Sequence, residues 1–241
     1  MTRSNILGGA GFAHVFPDRR ASDTDILEAL FGPAPPPRPG EGEGAPRAVV
    51  QVKQVHGAKV ALAQEAGAAQ ARACEADALV ARAAFGRVAV GVRVADCVPV
   101  LLASTETGDV AAVHAGWRGV TAGVIGAGVK ALGGGGLVAA IGPCIGPCCF
   151  EVGRDVAEEI SRAVPGATVI TPYPHASPEK VFVDLRAAVR QQLRVAGVEA
   201  ARIDDVPGCT RHESVRFHSF RRDGKESGRM LASIVTRPVT P

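Results

Sequence analysis

Between residues 49 and 114 the chain repeats short valine-rich runs, each closed by glycine or a polar turn, and this repetition constrains the fold more than any other feature. Branched apolar residues in runs of roughly four to eight, bounded by turn formers, read as strands. The pattern predicts strands over 49–55, 58–63, 78–80, 88–94, 99–103 and 110–114. Downstream the period changes. Residues 120–132, 153–164 and 185–196 carry apolar side chains at helical spacing, with Asp184 placed to cap the last of them. The run GGGG at 133–136 stops a helix before a strand at 137–141, and 230–236 reads as a closing strand. Strands interleaved with helices in this way define an α/β (α+β) fold.

At 241 residues the chain fits a single domain over 1–241, large enough for a sizeable core. Residues 32–46, GPAPPPRPGEGEGAP, cannot build a helix or a central strand, and are expected to form a mobile surface loop joining an amino-terminal piece to the main body. The 27 Lys and Arg against 24 Asp and Glu leave a net charge of only +3, dispersed along the chain. That argues against a nucleic-acid partner and for small-molecule chemistry. The start, MTRSNILGGAGFAHVF, lacks the apolar core and cleavage site of a secretory signal, so a cytoplasmic protein is expected. No membrane segment is expected either, because the most apolar stretch, 88–104, is short and interrupted by Arg93 and Asp96.

Six cysteines are too sparse for a disulfide scaffold, which leaves free thiols or metal ligands. Cys74, Cys144, Cys148 and Cys149 read as buried, inert thiols. The group Cys144-x-x-x-Cys148-Cys149 lacks the two-residue spacing of a metal motif, and its proline-glycine context reads as a turn. His56, Cys97 and His114 are different, since each ends or follows a strand-like run. Two imidazoles and one thiol on three segments leave a fourth position open, which is the arrangement of a catalytic zinc rather than a closed structural one; copper is the alternative ion.

In VAVGVRVADCVPVLL, Asp96 and Cys97 interrupt an apolar run, where a bound cation would offset the cost of burying them. HAGWRG places His114 at a strand end, then Trp117 and Arg118 in a turn that enters a helix, an arrangement suited to phosphate. Lys53 lies just upstream of His56. Near the carboxyl end, CTRHESVRFHSFRRDGKESGRM gathers Arg221, Arg222, Arg229, His212 and His218 around aromatics, as a basic edge for substrate or phosphate would.

The segments QVHG, ADALV, VADCVPVLL, HAGWRG, AAIGPCIGPCCFEVG, FVDL, CT and SFRRDG…GRM, in this order, resemble the YfiH-like laccase-domain family, once called multicopper polyphenol oxidases and now regarded as purine nucleoside phosphorylases. The resemblance runs from about His56 to the carboxyl end. It implies layered mixed sheets flanked by helices, and His56, Cys97 and His114 as zinc ligands. It further implies phosphorolysis of adenosine, inosine and methylthioadenosine, with adenosine deamination as a second activity. The first forty-five residues depart from the family pattern, and Phe150 stands where a tyrosine is common.

For deamination the metal would activate water against purine C6, with Asp96 moving the protons. For phosphorolysis, Arg118 with Arg221 or Arg222 would hold phosphate. Three other readings compete. Cys97 with His114 as its base would make a cysteine hydrolase or deamidase. Copper-dependent phenol oxidation is at most a side activity, because six histidines are too few for a multicopper centre. A non-catalytic scaffold would dock a partner through residues 32–46.

Overall fold

The computed structural model describes residues 1–33, 47–64, 73–171 and 179–238; the loop expected at 32–46 therefore lies, beyond Gly32 and Pro33, outside the described residues. In chain order the strands are β1 (His14–Val15), β2 (Val49–Val50), β3 (Val60–Leu62), β4 (Ala78–Ala81), β5 (Ala89–Val94), β6 (Val98–Ser104), β7 (Val110–Ala115), β8 (Leu137–Ile141), β9 (Glu151–Gly153), β10 (Ile170–Thr171), β11 (Lys180–Val183), β12 (Ile203–Asp205) and β13 (Met230–Val235). The helices are α1 (Asn5–Gly9), α2 (Asp23–Phe31), α3 (Trp117–Thr121), α4 (Val124–Leu132), α5 (Arg154–Ala163), α6 (Leu185–Val195) and α7 (Phe220–Asp223).

Every residue of β6 is buried, and the architecture follows from that. The central sheet runs β12-β8-β6-β7-β4-β3, with β6 antiparallel to both neighbours. A second sheet runs β1-β13-β5-β2, and a small third one β10-β11-β9. Along β6, Val98, Val100 and Leu102 pack with Val124, Ile125 and Leu132 of α4 and with Val189 and Leu193 of α6. The alternate side chains Leu101 and Ala103 turn the other way, onto Val90 and Val92 of β5 and Ala232 and Ile234 of β13. Helices, central sheet and second sheet thus form three layers with a core on each face of the central sheet. A strand buried on both faces has no reason to alternate polar with apolar, which explains the unbroken VPVLLA run. Each such aliphatic side chain contributes about 1.5–3 kcal/mol of burial.

Three expectations change in detail. The helix expected over 120–132 starts earlier and is split into α3 and α4 by Gly123, whose φ of 82° is a left-handed conformation that glycine adopts without steric cost. The strand expected over 49–55 shrinks to Val49–Val50, with one further bridge from Lys53 to Glu75. There the Gln54 side chain takes over from the ladder, donating to the Arg93 carbonyl and accepting from the Arg93 N–H, both at 2.8 Å. The strand at 58–63 shortens to Val60–Leu62. Asp184 does cap α6, its Oδ1 accepting from the Ala187 N–H at 2.9 Å. Among the described residues no helix is long and apolar enough to cross a membrane.

Candidate active site

Because β5 and β6 belong to different sheets, the turn at 95–97 must carry the chain from one layer to the next. Asp96 takes a φ of 90° there, a conformation that a residue with a Cβ keeps only when its surroundings hold it. Three hydrogen bonds do so. The Thr210 hydroxyl donates to Asp96 Oδ1 at 2.6 Å, the Arg221 N–H donates to Oδ2 at 2.6 Å, and the Ile145 N–H donates to the Asp96 carbonyl at 2.9 Å. Cys97 is the next residue, fixed in place by this turn.

His56 also has a positive φ, 61°, in a loop folded around one carboxylate. Asp77, completely buried just before β4, accepts N–H bonds from Val55 at 3.2 Å, His56 at 2.9 Å and Gly57 at 2.7 Å. It also accepts from His114 Nδ1 at 2.8 Å. A carboxylate only accepts, so Nδ1 carries a proton, and Nε2 is the ring nitrogen through which His114 could bind a metal. Burial works against the Asp77 charge, yet the bonds from His114, Gly57 and His56 outweigh it and hold the carboxyl below its usual range.

The ligand atoms of His56, Cys97 and His114 all lie within 4.8 Å of one another. Cys97 Sγ is 3.9 Å from His56 Nε2, and the two imidazole rings meet edge to face with centroids 4.8 Å apart. Gly116 leaves the room this needs: a Cβ there would lie 2.9 Å from His56 Cδ2 and 3.1 Å from Cys97 Sγ. Burial raises the Cys97 thiol, but hydrogen bonding and charge from His114 and His56 override it and bring it down to about 6. For His114, burial opposes the charge while Asp77 and Cys97 favour it, and the ring rises to about 9. One thiolate and two imidazoles form a donor set that fits zinc, and also copper.

The cluster opens into a cavity of about 510 Å³, within the ordinary size range of small-molecule sites. Asp96, Phe150, Phe220, Arg93, Arg221 and Arg229 line it with His56, Cys97 and His114. The Arg221 guanidinium lies 5.6 Å from the Phe150 ring centre and donates to the Glu151 carbonyl at 2.9 Å. Arg229 lies 5.6 Å from the Phe220 ring centre, and Arg93 Nε donates to Gln51 at 2.7 Å.

Of the residues given a site role in the sequence, the structure brings His56, Asp96, Cys97, His114, Arg221 and Arg229 together at the cavity and leaves Lys53, Arg118 and Arg222 aside. Lys53 is exposed and pairs with Glu75 at 2.8 Å. Arg118 is exposed on the five-residue helix α3, 4.4 Å from the Trp117 ring centre, away from the cavity wall. Arg222 turns inward as a strut, donating to the carbonyls of Thr210, Arg211 and Phe217. The arginines that line the cavity are instead Arg93, Arg221 and Arg229. Sequence reasoning also missed Asp77, although an acid directly ahead of the apolar run ALVA was a usable signal.

Fold and cluster together define a class: an α/β protein of stacked mixed sheets with an open centre of two histidines and one cysteine beside an arginine-lined cavity. Residues 41–237 match the family described as multi-copper polyphenol oxidoreductase laccase, and the chain belongs to that family. Adenosine deaminase RL5, from an unknown prokaryotic organism, is 40% identical over 152 residues, covering 61% of this chain and 58% of that protein. Purine nucleoside phosphorylase YlmD of Geobacillus stearothermophilus is 36% identical over 156 residues, 62% of this chain and 57% of its own length. The chain thus spans less than two thirds of the length of these two relatives. A purine nucleoside phosphorylase of Xylella fastidiosa (strain 9a5c) is 36% identical over 77% of this chain and 71% of its own. The crystal structure of YlmD has a TM-score of 0.67 at 34% identity, covering 78% of this chain and 73% of that one. That of Neisseria meningitidis protein NMB0706 has a TM-score of 0.67 at 34% identity, covering 79% and 75%.

Proposed function

We propose that this chain is a cytoplasmic, zinc-dependent purine nucleoside phosphorylase with adenosine deaminase activity. The observation that carries the reading is the convergence of His56, Cys97 and His114 at a cavity walled by three arginines and two phenylalanines. The names of the relatives, phosphorylase and deaminase, agree with it. His56, Cys97 and His114 would hold the ion, which when bound supplies Lewis-acid stabilisation of charge developing on the substrate.

The protein's own groups do the remaining work. Arg93, Arg221 and Arg229 bind phosphate through charge-assisted hydrogen bonds, at the wall where the nucleoside also sits. Phe150 and Phe220 offer apolar faces to the purine. Asp96 accepts one hydrogen bond on each carboxylate oxygen from the protein, which leaves further lone-pair sites to take up and return a proton during deamination.

One observation favours a second reading. Cys97 at about 6 and His114 at about 9, with Asp77 behind the ring, also form the thiolate, imidazolium and carboxylate series of a cysteine nucleophile. Chromatography of zinc-loaded protein with inosine, with and without phosphate, separates the two. Phosphate-dependent release of hypoxanthine and ribose 1-phosphate is expected. No product from protein that contains zinc overturns the phosphorylase reading, and a covalent adduct trapped on Cys97 during turnover would then establish the nucleophile.

A further inference from the structure

Behind the cavity wall a second set of soft donors converges. Cys148 Sγ lies 3.6 Å from Cys149 Sγ, 3.9 Å from Cys209 Sγ and 3.4 Å from His212 Nδ1, and the four donor atoms all fall within 4.8 Å of one another. A tetrahedral zinc with ordinary bond lengths has S···S edges of about 3.8 Å and S···N edges of about 3.6 Å. The three contacts of Cys148 already lie close to those edges.

The sequence spacing agrees once both segments are read together. Cys209-Thr210-Arg211-His212 is a C-x-x-H motif, which supplies the two-residue spacing that Cys144 and Cys148 lack. Its backbone is shaped for a thiolate: the Gly146 N–H donates to Cys209 Sγ at 3.3 Å, and the backbone of Arg211 and of His212 also hydrogen-bonds to this sulfur. Such bonds orient a ligating sulfur and offset its charge. Cys149 is buried, Cys148 and Cys209 are half-buried, and His212 is exposed, so three sulfurs form a pocket closed by an imidazole at the surface. Cys144 stays outside the group, its sulfur accepting from Arg186 at 3.5 Å.

We infer that Cys148, Cys149, Cys209 and His212 bind a structural zinc ion. Four protein ligands close the coordination shell, so this ion has no open position for substrate, unlike the centre at Cys97. Its place in the fold gives it a task. Cys149 precedes Phe150 on the cavity wall, and Thr210, between Cys209 and His212, holds Asp96 at 2.6 Å. The ion would therefore add a tie between the loop at 144–149 and the loop at 209–213, beside the bridge between Cys144 and Cys209 and the bond from the Gly146 N–H to Cys209 Sγ.

The test is metal content per chain, which does not depend on any activity. The full chain, purified under reducing conditions, zinc-loaded and dialysed, is expected to hold two zinc ions. Cys97→Ser is expected to keep one, and to give the intense thiolate-to-metal absorption of tetrahedral cobalt when loaded with cobalt(II). In a Cys97→Ser background, the exposed-site change His212→Ala should make that ion more than tenfold easier to remove with a chelator, and Cys148→Ser with Cys209→Ser should abolish it. A folded Cys97→Ser protein with no zinc and no cobalt band overturns the inference. So does a Cys148–Cys209 disulfide in the reduced, zinc-loaded protein.

Discussion

The Asp77 carboxylate and the His114 ring are joined at 2.8 Å, and the same carboxylate gathers the N–H groups of Val55, His56 and Gly57. One buried acid therefore orients both histidines of the cluster, one through its ring and the other through its backbone. Asp77→Asn keeps the shape and loses the charge and the purely accepting character. Groups of this kind behind metal ligands typically contribute about 10–100-fold in affinity. Zinc affinity, read by competition with a chromophoric chelator, is expected to fall by that amount; an unchanged affinity would remove Asp77 from the account.

Gly116 owes its identity to space rather than to backbone freedom, since its φ of −71° suits any residue. A methyl there would press on His56 Cδ2 at 2.9 Å and on Cys97 Sγ at 3.1 Å. Gly116→Ala is expected to leave the circular dichroism spectrum unchanged while zinc affinity drops at least tenfold. Full zinc binding by the variant would show that the cluster can relax around a side chain.

The metal-free site carries a pH signature. Cys97 has a folded value of about 6 against an ordinary 9.0, so its stabilising contribution is complete above pH 9.0 and is lost as pH falls through 6. His114 runs the other way, from an ordinary 6.5 up to about 9, so its contribution is complete below pH 6.5 and is lost as pH rises through 9. In the stripped protein, alkylation of Cys97 by iodoacetamide, followed by peptide mass, should reach half its plateau rate near pH 6 rather than near the roughly 8.5 of a free thiol. An inflection above pH 8 would contradict the ion pair.

What the sequence made legible follows from how local each signal is. The strands of the central sheet announce themselves because residues such as Val98 to Ala103 are buried on both faces, and burial writes a continuous apolar run. His56, Cys97 and His114 stand out as polar residues at the ends of such runs. Asp77 was harder to see, since its role lies entirely in hydrogen bonds to residues 20 to 37 positions away. The amino-terminal helix α2 was overlooked although Ser22 and Asp25 form a reciprocal capping box, a local signal at the expected spacing. Arg221 and Arg222 were indistinguishable in sequence, and only the turn of α7 sends one to the cavity and the other inward. The thiols at 148 and 149 read as inert because their partners come from beyond residue 208.

That divergence of Arg221 from Arg222 gives the sharpest paired prediction. Arg222 donates three hydrogen bonds to the carbonyls of Thr210, Arg211 and Phe217 at 3.0–3.1 Å and pairs with Asp223 at 2.7 Å. Charge-assisted bonds of this kind contribute about 1.5–3 kcal/mol each when their partners lose solvent, so Arg222→Met should lower the melting temperature by several degrees. On the proposed phosphorylase activity, it should leave the phosphate KM of the folded variant within about twofold. Arg221 is exposed at the cavity, where its guanidinium donates to the Glu151 carbonyl. Arg221→Met is therefore expected to change the melting temperature little and to raise the phosphate KM at least tenfold. Thermal melts and phosphate titrations of both variants would measure this. Were the two effects interchanged, Arg222 would be the anion contact and the placement of the cavity arginines would have to be redrawn.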